Sequence, residues 1–248
     1  MKIGIITAMP EETRAIVRAL GQARKFRMGG LAAHHAQLSG HELTVVEAGM
    51  GYANATTAAR ILIDELRPDL LMSAGFCGGI STELRVGDVV LATGLTTVSD
   101  NGQHVVPVVM PAVAREFVLR QTAEGQRMFA GLFATTTAIM PKSRLAAMLP
   151  RDAPFPVVEM ESAAIALLAG ENGIPFVGLR TVSDPFDEEL AFSLDEFCDE
   201  RMRIRIPRVL FTIARKPRII PQLIRLAGNS RVAAANLTQA MERLLAVL

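Results

Sequence analysis

Short apolar runs alternate with amphipathic stretches along most of the chain, which predicts strands that alternate with helices. A first strand is predicted at residues 2–7 and a helix at residues 10–20, with Pro10 in the first helical turn. Further strands are predicted at residues 69–74, 89–92, 105–109, 129–137 and 176–182, and further helices at residues 54–66, 112–123 and 143–149. This order favours one α/β domain over two.

Glycines and turn residues mark the breaks between these elements. Residues 35–47 are predicted to form a hairpin, and residues 48–51 a tight turn before a helix that Asn54 can cap. The glycines of residues 75–79 indicate a loop whose backbone can approach a ligand closely.

The stretch VVEMESAAIALLA, residues 157–169, places two carboxylates where a strand is predicted to run into a helix. The β-branched start favours a strand, and the apolar residues from Ala163 onward favour a buried helix. Glu159 and Glu161 therefore lie at the junction, where the positive end of a helix can orient negative charge. Such glutamates either simply open a helix or belong to a site.

Two other strands also deliver polar side chains at their carboxyl ends. The chain begins KIGIITAMPEE, which places Glu11 and Glu12 after the first strand. Later, IPFVGLRTVSD brings Arg180, Ser183 and Asp184 to the end of another strand. Strand ends that carry carboxylates are what a ligand cleft beside an α/β sheet uses.

Composition limits the class of protein without identifying it. A chain of 248 residues, half of them hydrophobic, can bury one sizeable core. Its two cysteines, Cys77 and Cys198, form no CxxC pair, which argues against a disulfide framework or a metal motif. The amino terminus lacks a signal-peptide pattern and no stretch reaches transmembrane length. We therefore expect a cytoplasmic protein without metal or other cofactor.

Charge is distributed unevenly between the two parts of the chain. Residues 1–200 carry 16 Lys and Arg against 24 Asp and Glu, whereas residues 201–248 carry 10 against the single Glu242. We expect residues 1–200 to be the body of the domain and residues 201–248 a basic, mostly helical extension of it. Prolines are predicted to break this extension, at Pro207, Pro217 and Pro221.

Four motifs in order carry a family resemblance: MKIGIITAMPEE, AGFCGGISTELRVGDVV, VVEMESAAIA and IPFVGLRTVSD. With them the sequence resembles the purine nucleoside phosphorylase and nucleosidase superfamily over about residues 1–200, and within it the 5′-methylthioadenosine/S-adenosylhomocysteine nucleosidases. The resemblance implies a three-layer α/β/α domain around a mixed, barrel-like sheet, usually a homodimer. It also implies cleavage of the N-glycosidic bond of a purine nucleoside.

The resemblance further implies roles for individual residues. Glu12 matches the base that activates the attacking water, and Asp184 the acid that protonates purine N7. Glu161 matches the carboxylate that binds the ribose hydroxyls, while Arg180 and Ser183 match residues that hold the aspartate. Met160 lies beside the ribose in this scheme. The other positions expected to line the substrate are Met9, Met50, Phe76, Ile139 and Met140.

The chain departs from the family pattern at several of these positions. Phe76 stands where the family has a small polar residue that helps to hold water or phosphate. Residues 71–74 lack the arginine that phosphorylases have shortly before their glycines, which favours hydrolysis over phosphorolysis. Ile139 and Met140 offer the base an apolar slot without ring stacking, and the segment 96–107 is shorter than in the nucleosidases.

The basic extension allows two interpretations. Basic and apolar residues interleave through residues 201–226, as in an element that lies on an anionic membrane surface. This tail is similar to that of hopanoid-associated phosphorylase-like proteins, which remove adenine from a 5′-adenosyl triterpenoid. Alternatively, the segment packs on the acidic body or across a dimer. Nucleic-acid binding is not expected, because Phe211 is the only aromatic residue in the segment and no binding motif is present.

The sequence thus supports one main hypothesis and three alternatives. The main hypothesis is a nucleosidase that hydrolyses a 5′-modified adenosine and releases adenine. The alternatives are adenine release from a lipid-linked adenosyl substrate, phosphorolysis of a purine nucleoside, and a nucleoside-binding protein that has lost catalysis. The last is motivated by Phe76.

Overall fold

The computed structural model describes residues 1–121, 127–188, 197, 209, 211–212 and 215–248. The strands are β1 (Lys2–Thr7), β2 (Arg24–Met28), β3 (Leu31–Leu38), β4 (His41–Glu47), β5 (Leu70–Gly79), β6 (Val89–Ser99), β7 (Gly102–Val106), β8 (Met128–Thr136), β9 (Val157–Glu159) and β10 (Phe176–Asp184). The helices are α1 (Pro10–Leu20), α2 (Tyr52–Leu66), α3 (Ala112–Gln121), α4 (Lys142–Met148), α5 (Ser162–Glu171) and α6 (Ile220–Leu245), with a 3-10 turn at Pro217–Ile219.

The strands form one mixed sheet that closes on itself along part of its width. Their order is β10-β6-β8-β9-β5-β1-β4-β3-β2, and β7 pairs with β6. Because β10 also pairs with β5, the strands β5, β10, β6, β8 and β9 close into a barrel. β1 runs parallel to both β4 and β5, so its carboxyl end reaches the edge of this barrel.

Helices cover both faces of the sheet. One apolar cluster joins α1, α3 and α6 to one face and includes Ile16, Phe117 and Leu237. A second cluster joins α2 and α5 to the other face and includes Leu62 and Ile165. The predicted three-layer α/β/α fold with a barrel-like mixed sheet is therefore confirmed.

The glycine-rich stretch predicted as a loop is the second half of a strand. β5 runs without interruption from Leu70 to Gly79 and is buried throughout. It pairs with β10 as far as Gly78 and with β9 through Gly78 and Gly79. The loop prediction is wrong because these glycines do not form a turn. They lie in a strand, where the missing side chains let neighbouring side chains pack directly on the backbone.

Other differences concern the ends of elements. The strand predicted at residues 105–109 is β7, which ends at Val106 and forms a hairpin with β6. The helix expected to be capped by Asn54 begins at Tyr52 instead, and the Asn54 amide donates to the carbonyl oxygen of Met50 at 2.8 Å. The predicted hairpin is confirmed as β3 and β4.

Helix α6 is continuous, so Pro221 does not break it as predicted. Pro221 lies in the first helical turn, where a missing N–H group costs nothing. Pro217 opens the 3-10 turn before the helix. The helix packs on α1, where the Thr238 hydroxyl donates to the carbonyl oxygen of Ala15 at 2.9 Å.

Cys198 lies outside the described residues, and so do these residues of the predicted tail: Arg201, Arg203, Arg205, Pro207 and Arg208. Within the described part of the chain, no helix combines the length and the apolar character needed to cross a membrane.

Candidate active site

Glu12 is buried in the first turn of α1, just beyond the carboxyl end of β1, with 2% of its surface exposed. Its Oε2 accepts the N–H groups of Ala8 and Met9 at 2.8 and 2.9 Å, and its Oε1 accepts the N–H of Phe76 at 2.7 Å. Three backbone donors thus fix the carboxyl group. Oε1 keeps lone-pair capacity for a further donor, because a carboxylate has about four acceptor positions.

Phe76 enters the site through its backbone. The phenyl ring packs in the apolar cluster beneath β5, with 8% of the residue exposed. The N–H group of the same residue orients Glu12. The aromatic side chain that departs from the family pattern is therefore part of the core, while the hydrogen bond needs no particular side chain.

Arg180 lies at the centre of a buried group of carboxylates and hydroxyls. Its Nη2 is 2.6 Å from Glu159 Oε2 and 3.2 Å from Glu161 Oε2. The hydroxyl oxygens of Ser73 and Ser162 lie 3.0 and 3.2 Å from the same nitrogen. Because Arg180 is only 1% exposed, its charge is compensated inside the protein and not by water.

The junction between β9 and α5 explains the two glutamates of the VVEMESAAIALLA stretch. Glu159 Oε2 accepts the N–H groups of Glu161 and Ser162 at 3.0 and 2.7 Å, and its Oε1 contacts the Thr135 hydroxyl. Glu161 is the N-cap residue of α5, and its Oε1 accepts the N–H of Gly51 at 2.8 Å. Glu159 therefore opens the helix and anchors Arg180, whereas Glu161 links the helix to the turn before α2.

One guanidinium must serve three buried carboxyl groups, and their pKa values separate accordingly. Burial raises the pKa of Glu12, and Arg180 and the backbone donors only partly offset it. Burial raises the pKa of Glu161 to about 7, with Arg180 opposing and the other two carboxylates adding to the rise. Burial also raises the pKa of Glu159, but Arg180 and the hydrogen bonds from Thr135 and Ser162 together outweigh burial, so this pKa is lowered. Glu159 is thus the partner that stays ionised.

Gly75 provides the space in which Glu12 and Arg180 meet. A Cβ atom at this position would overlap Arg180 Nη1 and the Glu12 carboxyl group. We expect Gly75→Ala to destabilise the fold by about 1–3 kcal/mol, the usual cost of overpacking, and to displace Glu12. Thermal or denaturant unfolding measures the first effect and purine release the second.

Gly170→Ala is the matched control for this substitution. Gly170 lies in α5, and nothing surrounds the position of its missing Cβ within 4 Å. Alanine there should be neutral or stabilise by about 0.5–1 kcal/mol, because glycine is unfavourable inside a helix. A Gly75→Ala protein as stable and active as the wild type would show that the cluster tolerates a side chain at this point.

Asp184 ends β10 and is held by two neighbours. The Ser183 hydroxyl donates to Asp184 Oδ1 at 2.8 Å, and Lys142 Nζ lies 2.6 Å from Oδ2. Burial raises the pKa of Asp184, while Lys142 and Ser183 oppose the rise. The predicted contact with Ser183 is confirmed.

The predicted contact between Arg180 and Asp184 is wrong. They are four positions apart on β10, and Arg180 pairs with Glu159 and Glu161 while Asp184 pairs with Lys142 and Ser183. Arg180 is paired with Gly75 of β5 and Asp184 with Gly78. The guanidinium therefore serves the glutamates at one end of the site, and Asp184 takes its cation from α4.

The other predicted substrate positions differ in how far they are exposed. Met9, Met50, Met140 and Met160 are partly buried, and Ile139 is 41% exposed. Their contact with a substrate stays a prediction. Within the described residues, no group of His, Cys, Asp and Glu side chains is placed to hold a metal ion.

Three groups of the site are not predicted from the sequence: Lys142, the N–H of Gly51 and the hydroxyl of Thr135. A signal existed for Lys142, because it is the first residue of a helix that has no acidic residue in its first turn. A cation there is unfavourable for the helix itself, which indicates a partner elsewhere in the structure. Gly51 and Thr135 contribute through geometry that no residue pattern indicates.

The fold is that of a known class of α/β proteins. A family model described as the phosphorylase superfamily matches residues 2–215, so the chain belongs to this superfamily. The family resemblance found in the sequence is confirmed. The similarity of the tail to hopanoid-associated proteins stays a prediction.

More particular relatives are nucleosidases. The chain is 31% identical to the 5′-methylthioadenosine/S-adenosylhomocysteine nucleosidase of Bacillus thuringiensis subsp. konkukian over 214 residues, which is 81% of this chain and 93% of the relative. The nucleosidase of that name from Bacillus anthracis shares the same identity and coverage.

Solved structures agree in fold. The corresponding nucleosidase of Neisseria meningitidis, in complex with methylthio-immucillin-A, superposes with a TM-score of 0.74 at 23% identity, covering 100% of this chain and 99% of the other. Futalosine hydrolase of Helicobacter pylori superposes with a TM-score of 0.74 at 18% identity, covering 100% and 98%.

Proposed function

We propose that the protein is a purine nucleosidase that hydrolyses the N-glycosidic bond of a 5′-modified adenosine and releases adenine. One observation carries the proposal: a buried group of carboxyls and the partly buried Asp184 face one stretch of β5. Glu12 and Arg180 lie against Gly75, and Asp184 lies against Gly78. The identity of 31% to enzymes named as nucleosidases of 5′-methylthioadenosine and S-adenosylhomocysteine supports the choice of substrate.

The spacing of the two groups suits a nucleoside. Gly75 and Gly78 are three residues apart on one strand, roughly 10 Å at the usual rise. A ribose and a purine together span a comparable length, so the sugar would lie near Glu12 and Glu161 and the base near Asp184. Glu161, whose pKa is about 7, would bind the ribose hydroxyls through hydrogen bonds.

The residue types fit the charges that develop in the reaction. As the C1′–N9 bond breaks, its electron pair moves to the purine, and Asp184 gives a proton to N7. Water attacks C1′, and Glu12 takes a proton from that water through the free acceptor position of Oε1. Each group acts on charge that forms in the transition state, which is what accelerates a reaction.

The site also favours water over phosphate as the nucleophile. A phosphate dianion needs convergent cations or backbone donors. Arg180 is already engaged by Glu159 and Glu161, and the N–H of Phe76 is used by Glu12. Water is small and neutral and can give a proton to Glu12, so it fits better beside Glu12 than a phosphate dianion does.

Free adenine after incubation with a nucleoside is the direct test. Chromatography would follow 5′-methylthioadenosine, S-adenosylhomocysteine, adenosine and inosine, each with and without phosphate. We expect adenine from the first two substrates in the absence of phosphate. Strict phosphate dependence would replace hydrolysis by phosphorolysis. Release from none of the four, with nucleosides still raising the melting temperature, would favour a protein that binds without catalysis.

We also propose that the protein is a cytoplasmic homodimer and that residues 201–248 are an extension of the catalytic domain. The contact between Thr238 and α1 supports the second point. For the dimer, Val105 and Val109 are apolar side chains with 82% and 70% of their surface exposed. Sedimentation equilibrium tests the dimer, which should show twice the chain mass of 26.7 kDa.

A second candidate substrate is a lipid-linked adenosyl compound, taken at a membrane surface. The observation that favours it is that Phe211 and Ile224 are 61% and 68% exposed beside basic residues of the tail. The Arg215 guanidinium lies 5.2 Å from the centre of the Phe211 ring. Basic and apolar side chains together are what anionic membrane surfaces attract.

Flotation with vesicles tests this contact. Protein should rise with vesicles rich in phosphatidylglycerol, and Phe211→Ser combined with Ile224→Ser should abolish the shift. Val247→Ser, at an exposed position near the chain end, is the matched control. Protein that stays at the bottom with anionic vesicles would remove the membrane contact and, with it, the argument for a lipid-linked substrate.

A further inference from the structure

Lys142 is almost entirely buried, which is rare for a lysine without a partner. It begins α4 and is 7% exposed. Its Nζ lies 2.6 Å from Asp184 Oδ2 and donates to the carbonyl oxygens of Asp184, Pro185 and Glu188 at 3.0, 2.6 and 3.2 Å. The ammonium group has three N–H bonds, so these acceptors use its full capacity and leave none for a substrate.

The pair lies against backbone that carries no side chain. A Cβ atom on Gly78 would lie 2.7 Å from Asp184 Oδ2 and 3.1 Å from Lys142 Cε. The ion pair is therefore packed between β5, α4 and the chain after β10. This packing fixes which oxygen of Asp184 faces the lysine and which faces Ser183.

We propose that Lys142 is a positioning residue for the proton donor: it fixes the Asp184 carboxyl group and stabilises the carboxylate that remains when the proton moves to the purine. The inference rests on the proposed function. In the step concerned, the C1′–N9 bond breaks, its electron pair passes to the purine, and the Asp184 proton forms the new N7–H bond. Lys142 keeps its own protons and acts only through Asp184.

The charges around Asp184 define the expected pH dependence. Lys142 of α4 opposes the rise that burial causes in the Asp184 pKa, whereas Glu188, on the chain after β10, adds to that rise. Cys77 of β5 also faces Asp184, but burial raises the pKa of its thiol well above the ordinary value, so it stays neutral. Lys142 is therefore the cation that favours the ionised form of Asp184.

Lys142→Met tests the inference through the pH profile of kcat for 5′-methylthioadenosine. The active form has Asp184 protonated, so activity is lost as the pH rises through the pKa of Asp184. Without the lysine this pKa rises, and the alkaline limb should move up by about 1–3 pH units, the usual effect of one neighbouring charge. The kcat on the plateau should fall by about 10- to 100-fold, as for a misplaced catalytic group, with a smaller change in KM.

Lys142→Arg separates the charge of Lys142 from its shape, and Lys25→Met is the control. Lys142→Arg keeps the charge, so its alkaline limb should stay nearer that of the wild type than the limb of Lys142→Met, although its planar group cannot reproduce all the hydrogen bonds. Lys25→Met makes the same change at an exposed position on β2 and should leave the profile unchanged. An alkaline limb at the wild-type position in Lys142→Met would overturn the inference.

A measurement without turnover makes the test independent of activity and of whether the Lys142 variants fold. Carboxyl ¹³C spectra of the wild type, with Asp184 assigned by its loss in Asp184→Asn, follow the Asp184 titration, and ¹⁵N spectra of the same protein should show the Lys142 Nζ resonance shifting together with it. A Lys142 resonance that does not respond to Asp184 would overturn the positioning role. Absence of purine release from the wild type would instead overturn the proposed function.

Discussion

Replacement of Asp184 by asparagine is expected to reduce purine release by about 10²- to 10⁴-fold, the usual contribution of a positioned acid. Asparagine keeps the shape of the side chain but has no proton that it can give to N7. Lys142 should hold the amide oxygen, and the Ser183 hydroxyl can accept from the amide nitrogen, so the fold and the binding of adenine should survive. Single-turnover kinetics with 5′-methylthioadenosine and the melting temperature measure the two effects separately.

Asp187→Asn provides the matched control, because Asp187 is exposed and lies three residues further along the chain. Its activity should equal that of the wild type. If Asp184→Asn turned over substrate at a near-normal rate, the proton would have to come from another group, and the ion pair with Lys142 would be a purely structural contact.

The positions of the chemical groups could be predicted from the sequence, because each follows from local rules. Apolar runs that end in polar residues placed Glu12 and Asp184 at strand ends, and the change from β-branched to helix-forming residues placed Glu159 and Glu161 at a junction. These predictions required only the nearest neighbours in the chain. The fold class followed from the order of elements and from the family resemblance.

The partners of these groups could not be predicted in the same way, because they depend on register between strands that are distant in sequence. Arg180 lies opposite Gly75 of β5, and this pairing brings it to Glu12 and the glutamates. The family resemblance implied that Arg180 holds Asp184, and the sequence itself shows only that the two residues are four positions apart. Lys142 reaches Asp184 from α4, 42 residues away in sequence, and no pattern near residue 142 specifies that contact.

Glu12→Gln is expected to reduce hydrolysis by a similar factor, about 10²- to 10⁴-fold, and also to affect stability. Both Glu12 oxygens accept backbone N–H groups, so an amide nitrogen would face a donor in either orientation. Leaving a buried donor unpaired costs about 1–3 kcal/mol. The loss of activity therefore has to be measured below the unfolding transition, with the melting temperature recorded for the same samples.

Glu11→Gln is the control for this change, because Glu11 is exposed in the same helical turn and pairs only with Arg14 among the described residues, at 2.6 Å. It should keep full activity. A folded Glu12→Gln protein that still hydrolyses 5′-methylthioadenosine at the wild-type rate would exclude Glu12 as the base. A Glu12→Gln protein that binds the nucleoside but releases no adenine would show that the buried carboxyl acts on water, since the other groups that bind the substrate remain in place.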